Sequence, residues 1–331
     1  MLLPSALLIS TALLTGSAVA ETRADFLRMI DRPKVPLAGE MVPLVQTDGL
    51  DQFHFTYAAD SSQRVPGLLV RPAGNAKLPV VIVLHGTGGN KQGQLPFLKR
   101  LAARGFNAIA IDGRYHGERT RQGSGSLEYQ DAMLRTYRTG QEHPFLYDTV
   151  WDTMRLVDYL ETLPFADATK IGLMGISKGG METYLTAAVD PRIKVAVPCI
   201  GLQSFQWALE HHSWHSRAGT FQLALEGAAE GAPVDAQFLK HFYDKVAPGI
   251  YSDFDGPAMV RLIAPRPLLA INGELDPRTP MPGLQLCFDA ARQAYAATPD
   301  HFQTLIEEKT GHAVTPAGYN AAVAWLEKWL K

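Results

Sequence analysis

The chain has 331 residues, 46% of them hydrophobic and 19% charged, and a formal net charge of -2. That length suits one large α/β domain and easily buries a core. The charge balance gives no acidic or basic excess that would select nucleic acid or an anionic membrane as partner.

Residues 1–20, MLLPSALLISTALLTGSAVA, carry no Lys, Arg, Asp or Glu. The apolar run is short for a bilayer span. It ends in Ala18-Val19-Ala20, an A-x-A cleavage pattern, before the polar Glu21. This predicts a secretory signal peptide cut before Glu21, although its start lacks the usual basic residues; an uncleaved anchor is the alternative. The expected location is secreted or periplasmic, with no stable membrane insertion after cleavage. Residues 21–44 read as a polar, Pro-containing N-terminal extension. Residues 45–331 read as a single domain, with no linker, internal repeat or low-complexity tract.

Within that domain, residues 52–59 and 64–71 alternate like an antiparallel hairpin. Pro66 makes the second an edge strand or a bulge. Residues 78–84, LPVVIVL, form a continuous apolar run, as in a strand covered on both faces. The run stops at His85-Gly86-Thr87-Gly88-Gly89. LPFLKRLAARG predicts a helix closed by Gly105, and FNAIAIDGR another buried strand. Residues 117–147 read as a charged, Gly-rich excursion. Residues 149–163 predict an amphipathic helix stopped by Pro164. Strands are expected near 170–176, 193–200, 267–273 and 302–308, and helices over 178–185, 283–296 and 316–330. Residues 201–262, rich in Trp, His and Phe, read as a helical insertion or lid above the sheet. The alternation implies a mostly parallel sheet with helices on both faces.

The segment KIGLMGISKGGMETYL supplies the candidate chemistry. It reads as strand, tight turn and helix, with G-x-S-x-G at the turn: Gly175, Ile176, Ser177, Lys178, Gly179. A serine there is a nucleophile elbow; the competing reading is an ordinary helix N-cap. Such a serine needs a base and an orienting carboxylate, which follow in the order acid, then His. Asp276, after the strand PLLAING, is the candidate acid, with Glu274 second. His312, after the strand FQTLIEE, is the candidate base. The amide of Lys178, at a helix N-terminus, is one candidate oxyanion donor. The amide of Thr87 is the other, with Gly88 second, and His85 reads as structural, orienting that loop.

At these residues the sequence resembles the α/β-hydrolase family. HGTGG, DGRYHGE, YDTVWDTMRLVDYLETLP, GISKGG, NGELDPRTP and GHAVTP look like the branch of dienelactone hydrolases and acetyl-xylan esterases, over roughly residues 45–331. The resemblance implies the α/β-hydrolase fold with an eight-stranded core, a Ser/Asp/His triad, no cofactor, and a small-molecule ester as substrate. Dienelactone hydrolases proper use a cysteine nucleophile, so the serine here argues against dienelactone. The prolyl oligopeptidase domain is a related relative, but no propeller-sized region precedes this domain.

The remaining polar and aromatic residues divide by chemistry. Asp112, Arg114, His116 and Glu118 read as a buried network bracing the site rather than as substrate contacts. Trp207, Trp214 and His215 are candidate substrate-binding residues, with core packing the alternative for the tryptophans. His211 and His215 offer an i,i+4 pair, yet without a third ligand no metal is expected. Arg217 and Arg278 are candidates for a substrate carboxylate, with solvated surface charge the default. Cys199 and Cys287 lack metal-like spacing and read as buried free thiols, a disulfide being the alternative. Together the residues point to a serine esterase for small acyl groups. A serine exopeptidase or amidase on the same residues, or a non-catalytic binding pseudohydrolase, are the competing classes. The sequence leaves the oligomeric state open.

Overall fold

The structure, a computed structural model, describes residues 20–44, 46, 48–121 and 125–331. The expected signal peptide lies outside the described residues except for Ala20. Helix α1 covers residues 20–30, within a stretch that reads from its composition as a polar extension rather than a helix. It buries Phe26 and Ile30 in the core.

A nine-stranded sheet follows, in the order β1-β2-β3-β5-β4-β6-β7-β8-β9. Strands β1 (Glu40–Pro43), β2 (Leu50–Ala58) and β3 (Arg64–Pro72) form its antiparallel edge. Strands β4 (Leu78–Leu84), β5 (Asn107–Ile111), β6 (Ala166–Ile176), β7 (Ile193–Cys199), β8 (Leu268–Gly273) and β9 (Phe302–Glu307) run parallel. The strand beyond the expected eight is β1, four residues long and largely exposed, too short to show a period-2 pattern.

Strand β3 is not at the edge, contrary to the expectation from Pro66. It lies between β2 and β5. The Pro66 carbonyl accepts from the Asp112 amide, at 3.1 Å, just past the end of β5. The side of the residue that lacks an N–H therefore faces the end of the ladder, where no donor is needed.

Strand β4 shows why its sequence is apolar throughout. Val80, Ile82 and Leu84 enter one core layer, while Val81 and Val83 enter the other. Ile109 and Ile111 of β5 follow the first layer, Ala108 and Ala110 the second. Helices α2 (Leu95–Ala102) and α12 (Pro316–Leu330) cover the second layer. Helices α4 (Tyr147–Leu160) and α5 (Lys178–Val189) cover the first. Helix α3 (Gly125–Thr139) occupies the stretch that read as an excursion. Its buried Tyr129, Ala132, Met133 and Thr136 fall at helical spacing, diluted by the charges between them.

Between β7 and β8 the chain forms α6 (Phe205–Glu210), α7 (His215–Ala218), α8 (Gln222–Ala229), α9 (Ala236–Val246) and α10 (Gly256–Val260). They share buried aromatic packing: Phe221 lies 5.7 Å from Tyr243, and Phe205 5.8 Å from it. Helix α11 (Met281–Ala294) leads from β8 to β9.

Candidate active site

Strand β6 delivers Ser177 to the C-terminal edge of the parallel sheet, where open α/β sheets bind their ligands. Ser177 has φ 57° and ψ -113°, a conformation that costs a non-glycine residue energy and turns the side chain out of the strand. Its amide is held by the Cys199 carbonyl at 2.9 Å. The turn admits no larger flanking residues. A Cβ on Gly175 would lie 2.1 Å from the Gly179 carbonyl oxygen, and one on Gly179 would lie 2.3 Å from that of Leu84.

Two loops from later strands meet this serine. Asp276 follows β8 and His312 follows β9. His312 Nε2 is 2.8 Å from Ser177 Oγ, and His312 Nδ1 is 2.7 Å from Asp276 Oδ2. Nδ1–H donates to the carboxylate, so Nε2 keeps its lone pair and accepts from the serine hydroxyl. Burial alone would raise the Asp276 carboxyl; the hydrogen bond and charge of His312 and the Arg278 amide hold it below the usual range. Burial lowers His312 below the usual histidine range, the carboxylate partly opposing it. Glu274, the runner-up acid, is exposed and instead accepts from the Lys309 amide at 2.9 Å.

The loop after β4 abuts the serine. A Cβ on Gly86 would lie 3.4 Å from Ser177 Cβ. The turn is closed by the Gly89 amide on the Gly86 carbonyl, 3.0 Å, with Thr87 between them. His85 ties this turn to the next strand end: Nδ1 contacts the Gly86 carbonyl at 2.8 Å, and Nε2 accepts from the Gly113 amide at 3.0 Å. Burial lowers His85 to about 4, Lys178 adding to the effect. The imidazole is therefore neutral, as a ring that both donates and accepts must be. The Lys178 amide opens α5, with its N–H at the positive end of the helix.

The Lys178 side chain went unread in the sequence. It turns inward, 1% exposed, and pairs with Glu182 one helical turn on at 2.5 Å. The i,i+4 spacing was visible; its burial was not, because it depends on Tyr129 and Gly113 arriving from elsewhere.

The charged turn after β5 forms a network, as its residue types suggested. Arg114 reaches Asp152 and Asp60 at 2.9 Å each. Arg119 reaches Asp152 at 2.7 Å, and Arg32 reaches Asp148 at 2.7 Å. Lys91 pairs with Asp112 at 2.6 Å.

The aromatic candidates separate. Trp207 lies against Gly283 of α11 and lines a groove with Ser204, Asp255 and Leu286, without Ser177, Asp276 or His312. Trp214 is buried, in a pocket shared with Arg217 and Arg278. His215 is exposed and stacked on Trp214 at 3.8 Å. His211 is likewise exposed, stacked on Trp207 at 4.3 Å. Arg217 departs from the surface reading: it is only 5% exposed.

A family description, acetyl xylan esterase (AXE1), matches residues 36–213, more than half of the chain. The chain belongs to the acetyl xylan esterase (AXE1) family. It is a carboxylic ester hydrolase of small-molecule esters. The putative hydrolase YtaP of Bacillus subtilis (strain 168) is 25% identical over 285 residues, 81% of this chain and 84% of YtaP. The putative esterase YitV of the same organism is 23% identical, over 76% of this chain and 90% of YitV. Among solved structures, the acetyl xylan esterase from Paenibacillus sp. R4 shares the fold with a TM-score of 0.68 at 19% identity, over 93% of each chain. This esterase also has, among its described residues, no helix long and apolar enough to cross a membrane.

Proposed function

We propose that the esterase hydrolyses esters of small acyl groups, acetyl esters on carbohydrates foremost, through a covalent acyl-serine, and that it works outside the cytoplasm. The observation that carries the mechanism is the hydrogen-bonded relay from Ser177 through His312 to Asp276, 2.8 and 2.7 Å. Ser177 Oγ attacks the ester carbonyl while His312 Nε2 takes its proton. Asp276 keeps the imidazole in the reactive tautomer and stabilises its charged form. The tetrahedral oxyanion accepts from the Lys178 and Thr87 amides; each such donor is typically worth about 3 kcal/mol of barrier. His312 then protonates the departing alcohol, and water releases the acid by the reverse steps.

The substrate class draws on the family and on the names of its relatives, which include an acetyl esterase of Xylanibacter ruminicola, Axe7A. The location draws on the sequence of residues 1–20 alone. Replacing Ser177 with Ala is expected to lower kcat on p-nitrophenyl acetate by on the order of 10^4-fold or more with the melting temperature retained. Near wild-type turnover in that variant would overturn the acyl-serine. Recovery of the wild-type chain in an uncleaved form from the cytoplasm of a secretion-competent host would overturn the location.

A further inference from the structure

A narrow pocket lies between the candidate acid and the helices that follow β7, and its chemistry is one-sided. It is lined by Gln203, Trp214, Arg217, Tyr243 and Arg278, among apolar neighbours, with no Asp or Glu. Two arginines therefore line one pocket, and among the described residues neither forms an ion pair with a carboxylate. Arg217 Nη2 donates to the Arg278 carbonyl at 3.0 Å and only distantly to Gln203 Oε1, at 3.4 Å. Among the described residues its Nε is buried without a partner, as are Trp214 Nε1 and the Tyr243 hydroxyl.

Two other inward-turned arginines are built differently, although Arg155 and Arg261 also leave a buried Nε without a partner. Arg266 donates to the carbonyls of Ala187, Asp190 and Ile193 at 2.5 to 3.1 Å, and to that of Leu262 at 3.5 Å. Arg71 donates to those of Gly74 and Ala76. Those side chains are satisfied by the fold itself. Arg217 is not, and leaving a buried charge without counter-charge or full hydrogen bonding is costly. What the pocket lacks is an acceptor carrying negative charge.

The pocket is wired to the reacting groups. The Arg278 amide donates to Asp276 Oδ1 at 2.9 Å, and the Arg278 carbonyl receives Arg217. Both arginines act on His312 electrostatically, lowering its affinity for a proton. The free volume is about 10 Å³, room for a single water-sized group. That fits one oxygen of a planar carboxylate better than the bulk of a tetrahedral phosphate.

We propose that this pocket recognises a free carboxylate carried by the ester substrate, with Arg217 and Arg278 as its anion-binding residues. The substrate class thus narrows to esters bearing a second, ionised acid group a few atoms from the scissile bond. This rests on the acyl-serine reading above, and it adds a specificity determinant to it. Arg fits the task because its fixed positive charge strengthens a hydrogen bond to a single carboxylate oxygen.

The test compares matched aryl esters: phenyl acetate, monophenyl glutarate with its carboxylate on the acyl side, and 4-acetoxybenzoate with its carboxylate on the alcohol side. In the wild-type enzyme at least one anionic ester is expected to exceed phenyl acetate in kcat/KM by tenfold or more, through a lower KM. In Arg278→Gln that ratio is expected to collapse toward one. Arg217→Lys repeats the measurement at the buried position, and circular dichroism verifies its fold. If neither anionic ester is preferred, or if Arg278→Gln leaves the ratio intact, the carboxylate site is overturned while the acyl-serine stands. Binding of glutarate to the Ser177→Ala variant by calorimetry, lost in the Ser177→Ala/Arg278→Gln double variant, reads the site without turnover. Its outcome therefore stays separate from any failure of the acyl-serine chemistry.

Discussion

Two clusters of arginine flank the candidate site, and they are resolved in opposite ways. On the β5 side, Arg32, Arg114 and Arg119 meet Asp60, Asp148 and Asp152, every guanidinium bonded to carboxylate. On the β8 side, the Arg217 guanidinium meets the Arg278 carbonyl and an amide side chain, and among the described residues neither guanidinium is paired with a carboxylate. The first cluster is electrostatically closed and holds β2, β5 and α4 together. The second is open, and an open cation next to reacting groups is a receptor. Residue type does not separate the two; partner count does.

The sharpest way to break this contrast is to open the closed cluster. Asp152→Ala takes from Arg119 its carboxylate partner and from Arg114 one of three, and is expected to destabilise the protein by about 3–5 kcal/mol, as removing one partner from a buried ion pair does. Chemical denaturation measures this directly; a loss below about 1 kcal/mol would mean that the network contributes little to holding the fold.

Acid is the next largest perturbation, and its sign follows from the direction of each shift. His85 and His116, held near 4 and 2 by burial first and by Lys178 next, stay neutral in the fold while the unfolded chain takes up protons below about 6.5. Stability is thus expected to fall as pH drops from 6.5 toward 4. Burial acts to raise Asp60, but the Ser62 amide and Arg114 bring it down to about 2. Its contribution is complete above the ordinary carboxylate range and disappears as pH falls toward 2. Melting temperatures across this range should decline in both windows; a flat profile between 6.5 and 4 would contradict neutral buried imidazoles.

His312 sets the smaller effects. Its lowered proton affinity places the acid limb of kcat/KM below pH 6.5. Removing one nearby cation should move that limb back up. Arg278→Gln is expected to raise the inflection by less than about one unit, while changing stability by no more than about 0.5 kcal/mol. An unmoved inflection would place Arg278 too far from the imidazole to act on it.

Much of this arrangement is legible in the chain before any coordinates. Strands β4, β5 and β8 and the second half of β6 announce themselves as apolar runs because both faces of the sheet are covered there, whereas β9, at the sheet edge, is mixed. The G-x-S-x-G turn carries its own geometry, since Gly175 and Gly179 leave no space for a Cβ. The loops bearing Asp276 and His312 follow from strand order. What could not be read depends on distant partners. Helix α3 hides because charges interrupt its buried stripe. Residues 20–30 look like polar leader until Phe26 is seen against Tyr147, 4.9 Å away. Pro66 suggested an edge because the length of β5, which decides the matter, is set elsewhere. Arg217 looked like surface charge for the same reason, its burial being made by Gln203, Tyr243 and Arg278.

Cys199 and Cys287 are both free and fully buried. Burial pushes each thiol well above its ordinary pKa, so neither forms thiolate at neutral pH. The native background is therefore silent to maleimides and nitroxide reagents. A single cysteine installed on the outer face of α8 or α9 would be the one reactive handle in the molecule, and a fluorophore or spin label placed there would report directly on whether those helices shift when an ester enters.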